Sequence, residues 1–429
     1  MPPVSKGGGR ADTGPGTSAW LAGPALRLDT GLIASLAGVA AAVLQFAGAL
    51  KSSPLLAGLP FDITVLALLA LPPLLVLLLL TRRWWVHPLL APALAGAGLL
   101  WLWSVLAGSW SASHDILAAK LPDIVLMGPL MLLAGMAVGA DAGARRLMVG
   151  VALTAGPLVA ASVAWGLASG SVVLGGAVGA NPELVRVQYQ LAGLAIACAA
   201  GLAGVRAVEA RSWAGRLFWL GFAGAMAVGV LLPGGRTALL SLGACLALAP
   251  ALRLWSAGRA RAALGWLGLM VAGSMLALGV LLLNPERAEG LRTLERFTQG
   301  DVESSARPTL WRAAMEWGSA GWPFGVGTGG FTIAAGYGER RGLYPHNHLL
   351  EAWAEGGVPG LLFWLLCFGG AALVPLFRLR RMQPGRLARM AALVLPVALA
   401  AMVSTDLGNR MVWFALGLVL STGIVARRV

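Results

Sequence analysis

The stretch NPERAEGLRTLERFTQGDVESSARPTLWRAAMEWGSAGWPFGVGTGGFTIAAGYGERRGLYP, from Asn284 to Pro345, is a polar island in an apolar chain. It gathers Arg, Glu and Asp, carries a glycine-rich turn from Gly325 to Gly330, and ends at the triplet His346-Asn347-His348. Long apolar runs flank it on both sides. The whole chain of 429 residues is 58% hydrophobic and only 12% charged. A soluble domain is nearer half apolar and a quarter charged. Apolar runs of about 17–25 residues, the thickness of a bilayer core, recur along the length. The alternating pattern of a membrane barrel is absent. The fold expected is an all-α polytopic membrane protein with one large polar loop that contains short helices.

Twelve transmembrane helices are expected, near 31–50, 62–80, 88–107, 121–139, 147–168, 188–205, 216–232, 237–252, 263–283, 357–376, 388–404 and 411–426. Only Pro233-Gly234-Gly235-Arg236 separates the seventh from the eighth. The Gly-rich stretch 169–180 reads as a loop or a re-entrant piece. Residues 1–30 are rich in Gly, Pro and Ser and read as a disordered N-terminus without the apolar core of a signal peptide. The organisation is then 1–30, helices one to nine over 31–283, the polar loop over 284–345, three further helices over 346–426, and a tail of 427–429.

The net charge of +14 could suggest nucleic acid, but its distribution argues for a membrane. Alternate short loops collect Arg82, Arg83; Arg145, Arg146; Arg206, Arg211, Arg216; Arg253, Arg259, Arg261; and Arg378, Arg380, Arg381, Arg386, Arg389, with Arg427 and Arg428 in the tail. The intervening short loops hold one basic residue each: Lys51, Lys120, Arg186, Arg236 and Arg410. This is the positive-inside bias repeated loop after loop. It predicts cytoplasmic termini and an outward-facing 284–345 loop. Cys198, Cys245 and Cys367 all fall in apolar runs, so no disulfide framework or cysteine metal site is implied.

Within the loop, Glu286, Arg287, Glu289, Arg292, Glu295 and Arg296 read as a solvated helix with surface ion pairs, which contribute little. Ser304-Ser305 followed by Pro308 reads as a helix start. Leu310, Trp311, Ala314 and Met315 then share a stripe with Arg307, while Arg312 points elsewhere. A charge on a buried stripe needs an anionic partner, whether a neighbouring carboxylate or a ligand. The Gly325-Val326-Gly327-Thr328-Gly329-Gly330 cluster follows no strand and matches no nucleotide fingerprint; it is a plain turn or a backbone cradle.

Arg236 ends a short turn and begins an apolar span. There its donor fork joins free backbone N–H groups in an arrangement suited to phosphate, or it snorkels to the interface. His346 and His348 stand where the chain returns to the membrane. Two positions apart they point to different sides of a helix, and no Asp, Glu or Cys set completes a metal site. A neutral imidazole there can take a proton from a hydroxyl, or serve as an interfacial hydrogen-bonding group.

The order of these pieces resembles the O-antigen ligase and polymerase superfamily. The resemblance is carried by Arg236 in a Gly-Arg-Thr turn, then Ser-Ala-Arg…Leu-Trp ending at Trp311, then Pro-Phe-Gly-Val-Gly from Pro323, then His346-Asn347 and Gly356-Gly357-Val358-Pro359-Gly360-Leu361. It is concentrated in roughly 230–365. It implies a metal-independent, inverting glycosyltransferase without cofactor, acting at the periplasmic face of a bacterial inner membrane. The implied donor is an undecaprenyl-diphosphate-linked glycan. The implied acceptor hydroxyl is on a lipid A-core sugar for a ligase, on another carrier-linked unit for a polymerase, or on Ser or Thr for a protein O-oligosaccharyltransferase.

Carried over, the catalytic residues are Arg236 and Arg307 on the diphosphate and His346 at the acceptor. Arg312, Asn347, His348, Gly325 and Gly327 are candidate substrate contacts. The second histidine, His348, leaves open which ring faces the acceptor. The competing class is a transporter of lipid-linked glycan, although repeat symmetry and mid-membrane polar sites are lacking. A non-catalytic assembly protein is a third reading.

Overall fold

A computed structural model describes residues 30–174, 185–233, 235–284, 286, 294, 307–340, 342–379 and 382–428. Residues 1–29, most of the charged segment 285–306 and part of the 169–180 stretch lie outside it, and with them the surface ion pairs and serines discussed above. Among the described residues, ten helices are long and apolar enough to cross a membrane, and two shorter apolar helices, Thr30–Gln45 and Arg410–Gly423, complete the set. Together they coincide with the twelve apolar runs. The chain is an all-α polytopic membrane protein.

The helix Tyr189–Glu209 forms the centre, with 83% of its apolar window buried. Its sequence, YQLAGLAIACAAGLAGVRAVE, explains why. In a bilayer, helices associate by close packing rather than by the hydrophobic effect, and small residues let backbones approach. A Cβ added to Gly193 would lie 2.3 Å from Ala238 Cβ, one on Gly156 2.2 Å from Ala199 Cβ, and one on Gly201 2.9 Å from Cys245 Cβ. Helices Ala142–Ala168, Trp213–Leu231, Arg236–Ser256 and Pro384–Val403 pack around this centre. Helix Ala260–Leu283 lies outside them, and only 6% of its apolar window is buried.

Helices Arg236–Ser256 and Pro384–Val403 run antiparallel. Ser241 Oγ donates to the Pro396 carbonyl at 3.4 Å, and Cys245 Sγ to the Ala392 carbonyl at 3.2 Å. Continuing that register brings Arg236 level with Ala401, close to the Ser404 turn.

Three features depart from the sequence expectation. The last apolar run does not stay helical. It ends near Gly423, and Ile424–Arg428 pairs antiparallel with Arg82–Val86. Each strand gives the other's N–H and C=O groups partners that the end of a helix leaves unmatched. In the 169–180 stretch, Val172–Leu174 forms a strand parallel to Val185–Val187.

The third departure concerns Lys120. It is no loop residue: it lies in the helix His114–Pro122 and is 4% exposed. The physical reason is a pair of carboxylates that the next subsection describes.

Candidate active site

The loop helix Arg307–Ala320 buries Leu310, Ala314 and Gly318, the i, i+4, i+8 row. Trp311 is half-buried, whereas Met315 turns away and is 52% exposed. Arg307 is partly buried at the start of this row, and Arg312 is exposed. Gly318 is required where the helix meets its neighbour, because a Cβ there would fall 2.1 Å from Trp353 Nε1.

The helix His348–Trp364 begins at the triplet. Asn347 is its N-cap: Oδ1 accepts from the Leu349 and Leu350 amides at 2.9 and 3.1 Å. Its Nδ2 donates to the Met402 carbonyl at 2.9 Å. The helix is broken at Gly357, whose φ of 61° is left-handed. The glycine-rich turn docks on that break. Val326 and Gly327 amides donate to the Ala354 and Glu355 carbonyls at 2.9 and 3.0 Å, and Val358 N–H donates to Pro323 O at 2.9 Å. Gly325 and Gly327 adopt φ of 77° and 87°, and added Cβ atoms would approach Gly357 N at 2.6 Å and Ser111 Cα at 2.7 Å. These glycines allow backbone to lie on backbone.

His346 sits between Pro345 and the capped helix with φ 54°, the one non-glycine residue with positive φ among those described. Such a conformation is uncommon and is tolerated only where surroundings fix it. The ring stands 4.0 Å from the Tyr344 ring, and Tyr344 Oη donates to the Ser404 carbonyl at 3.1 Å. Ser404 Oγ in turn donates to Gln190 Oε1.

Burial holds the His346 imidazole below its ordinary 6.5, and the Arg307 cation pushes it further down. Backbone groups of Ser404 and Gly342, and Asp406, oppose this without reversing it. Burial also raises the Tyr344 hydroxyl, with Asp406 and Glu351 adding to the effect and Arg307 opposing it. Arg307 is therefore near enough to act on both rings. Arg236 opens its helix beside Tyr189, whose Cδ2 is 3.6 Å from where a Cβ on Gly235 would stand. Tyr189 is followed by Gln190, the residue bonded to Ser404. His346 and Arg307 are thus brought together, and Arg236 lies at the same end of the bundle.

His348 goes elsewhere. It is wholly buried, with Nε2 3.1 Å from Thr405 Oγ1 and its ring edge-on to Phe368 at 6.0 Å. The helix starts at His348, so the two histidines are separated by a backbone bend as well as by sequence.

One cluster escaped the sequence reading. Lys120 Nζ donates to Glu351 Oε1 at 2.6 Å and to both Glu355 oxygens at 2.8 Å. Glu351 Oε2 accepts from the Leu407 amide at 2.9 Å. All three side chains are buried. The i, i+4 spacing of Glu351 and Glu355, on one face of a helix, was the available signal. Ionisable groups at membrane depth are costly unless paired, and they mark functional regions. Here they tie the helix after His346 to the 404–409 turn.

Beside that turn opens a cleft of about 610 Å³ lined by Lys51, Asp123, Gln188, Asp406, Asn409 and Arg410 among others. Among the described residues no group of three or more His, Cys, Asp or Glu is arranged to hold a metal ion.

Residues 218–365 match a family model described as O-antigen ligase. Over that segment the chain is similar to O-antigen ligases. The matched segment runs from the helix Trp213–Leu231 to the end of His348–Trp364. It contains Arg236, Arg307, the glycine-rich turn and His346. Members of this family are ligases or polymerases that act on lipid-linked glycans at membranes. No curated protein matches the chain.

Proposed function

We propose that this protein transfers a glycan from undecaprenyl diphosphate to an acceptor hydroxyl, with a lipid A-core sugar as acceptor, at the periplasmic face of a bacterial inner membrane. The observation that carries the reading is that the segment similar to O-antigen ligases holds Arg307 and a half-buried His346 packed on Tyr344, with burial and then the Arg307 cation holding the imidazole below its ordinary value. Such a ring can accept a proton near pH 7.

In the reaction, the acceptor oxygen gives its proton to His346 and attacks the anomeric carbon from the face opposite the leaving group. The bond from that carbon to the diphosphate oxygen breaks with its electron pair going to oxygen, so configuration inverts. Undecaprenyl diphosphate departs carrying the added negative charge. Arg236 and Arg307 receive that charge. Fixed donor forks aimed at developing charge do the work that a divalent cation does elsewhere, so no metal is required. The lipid tail stays in the bilayer, which accounts for a site at the membrane end of the helices.

Glycan analysis of a deletion strain tests the assignment. Loss of core-attached glycan with polymer still on the carrier supports a ligase. Single repeat units on the core would assign a polymerase instead, and an unchanged glycan profile would remove the proposal.

A further inference from the structure

The strand pair Arg82–Val86 and Ile424–Arg428 lies at the end of the bundle away from the candidate active site. Arg82–Val86 follows the helix Ile63–Leu80 directly, and Ile424–Arg428 follows the helix Arg410–Leu420. The other ends of those two helices carry Asp62, bonded to Lys51 at 2.7 Å, and Arg410, both Lys51 and Arg410 lining the cleft described above. A helix of 18 residues is about 27 Å long. The strands therefore sit at headgroup level on the opposite membrane face.

We propose that the outer face of this strand pair binds the phosphate of an anionic phospholipid headgroup. The register decides which side chains share a face. Arg83 stands directly opposite Arg427, and Trp85 opposite Val425. The alternate residue Arg82 points inward, 5% exposed, with Nε on Asp141 at 2.8 Å and Nη2 on the Thr30 carbonyl at 2.9 Å. That buried pair fixes the strand and leaves Arg83 outside.

Arg83 and Arg427 are both exposed. Directly opposed residues on one face have Cβ atoms about 4.5–5.5 Å apart, and like charges at that separation repel. The backbone ladder holds them there. One phosphate between two guanidinium forks replaces the repulsion with two charge-assisted contacts. The next pair along the same face is apolar: Trp85 is 69% exposed and Val425 41%. A tryptophan at the membrane boundary sits at headgroup level with its ring against the acyl chains. A cationic pair beside an apolar pair on one surface matches a phospholipid, which carries both parts. A soluble phosphate has no use for the apolar half.

The test is native mass spectrometry of the full chain in detergent with added phosphatidylglycerol or phosphatidylcholine. The variants are Arg83→Gln/Arg427→Gln and, as a control on the same membrane face, Arg259→Gln/Arg261→Gln. Losing one charge-assisted contact to a bound phosphate costs about tenfold in binding, so the strand double variant should retain about a hundredfold less phosphatidylglycerol. The control should bind like the parent, phosphatidylcholine should bind weakly to all, and glycerol phosphate should not compete.

Equal binding by parent and strand variant overturns the proposal. Equal loss in the control reduces the effect to general surface potential and also overturns it. Displacement by glycerol phosphate would make this a soluble-phosphate site. Should the double variant not fold, Arg83→Gln alone should show the tenfold loss, and unchanged binding there counts against the proposal.

Discussion

Lys120 Nζ lies 2.6 Å from Glu351 Oε1, although 231 positions separate them in the chain. With Glu355 on the same ammonium and the Leu407 amide on the other Glu351 oxygen, this contact joins three segments around His346. It is a strut: it holds the helix that follows His346 against the turn that receives Tyr344.

Lys120→Met would leave two carboxylates buried one helical turn apart. Breaking a buried ion pair from one side costs about 3–5 kcal/mol, because the remaining charge stays desolvated. The thermal midpoint in detergent should fall by several degrees. The triple variant Lys120→Met/Glu351→Gln/Glu355→Gln removes these three charges together and should recover most of the loss. A triple variant no more stable than the single one would show that packing, not charge, holds this contact.

The acid limb of the pH–rate profile should report His346. Proton acceptance needs the neutral ring, and the folded ring lies below 6.5 because burial and Arg307 disfavour its protonation. Activity should therefore persist below pH 6.5 and disappear as pH falls through the lowered value. Sequence reasoning alone, with the unperturbed ring, places that midpoint near 6–7. Arg307→Gln removes a cation from the ring's surroundings and should move the His346 titration upward, whereas Arg307→Lys should move it less. Ring titration by NMR reads both, independently of turnover. No change with Arg307→Gln would deny the coupling.

The twelve apolar runs, the helix start at Arg307 and the burial of Leu310 and Ala314 were legible because hydropathy and helical periodicity are local properties. The return to the membrane at His346 was legible for the same reason. The Lys120 cluster was not, since its partners meet only through tertiary packing and Lys120 in isolation reads as one more loop cation. The capping role of Asn347 was hidden in a motif that suggested substrate contact. By spacing, His346 and His348 read as lying on different sides of one helix, whereas the helix starts at His348 and a backbone bend at His346 separates the two rings. The strand pair was invisible because Ile424 and Val425 continue an apolar helix pattern, and their partner strand lies more than 300 positions earlier.

Gly325→Ala and Gly327→Ala should each destabilise the loop. Both positions have left-handed φ, and the new Cβ would meet backbone atoms that cannot move alone. Loss should appear as faster proteolysis between Trp322 and Phe331, with the transmembrane helices intact. Gly336→Ala is the comparison: φ is 79° but no atom lies within 4 Å of the added Cβ, so only the torsional cost of about 1–3 kcal/mol remains. Equal behaviour of all three would show that close backbone approach adds nothing.

Release of undecaprenyl diphosphate by purified protein, assayed with lipid-linked glycan and lipid A-core acceptor in the presence of EDTA, tests the central claim most directly. The account predicts acceptor-dependent release for the parent that survives chelation. It predicts a loss of about 10²–10⁴-fold for His346→Ala with carrier binding nearly kept, as expected of a general base. Arg307→Lys should lose most activity while remaining folded, because a point charge does not replace a bidentate fork. Full turnover by His346→Ala and Arg307→Lys, or activity abolished by EDTA and restored by Mg²⁺, would contradict it.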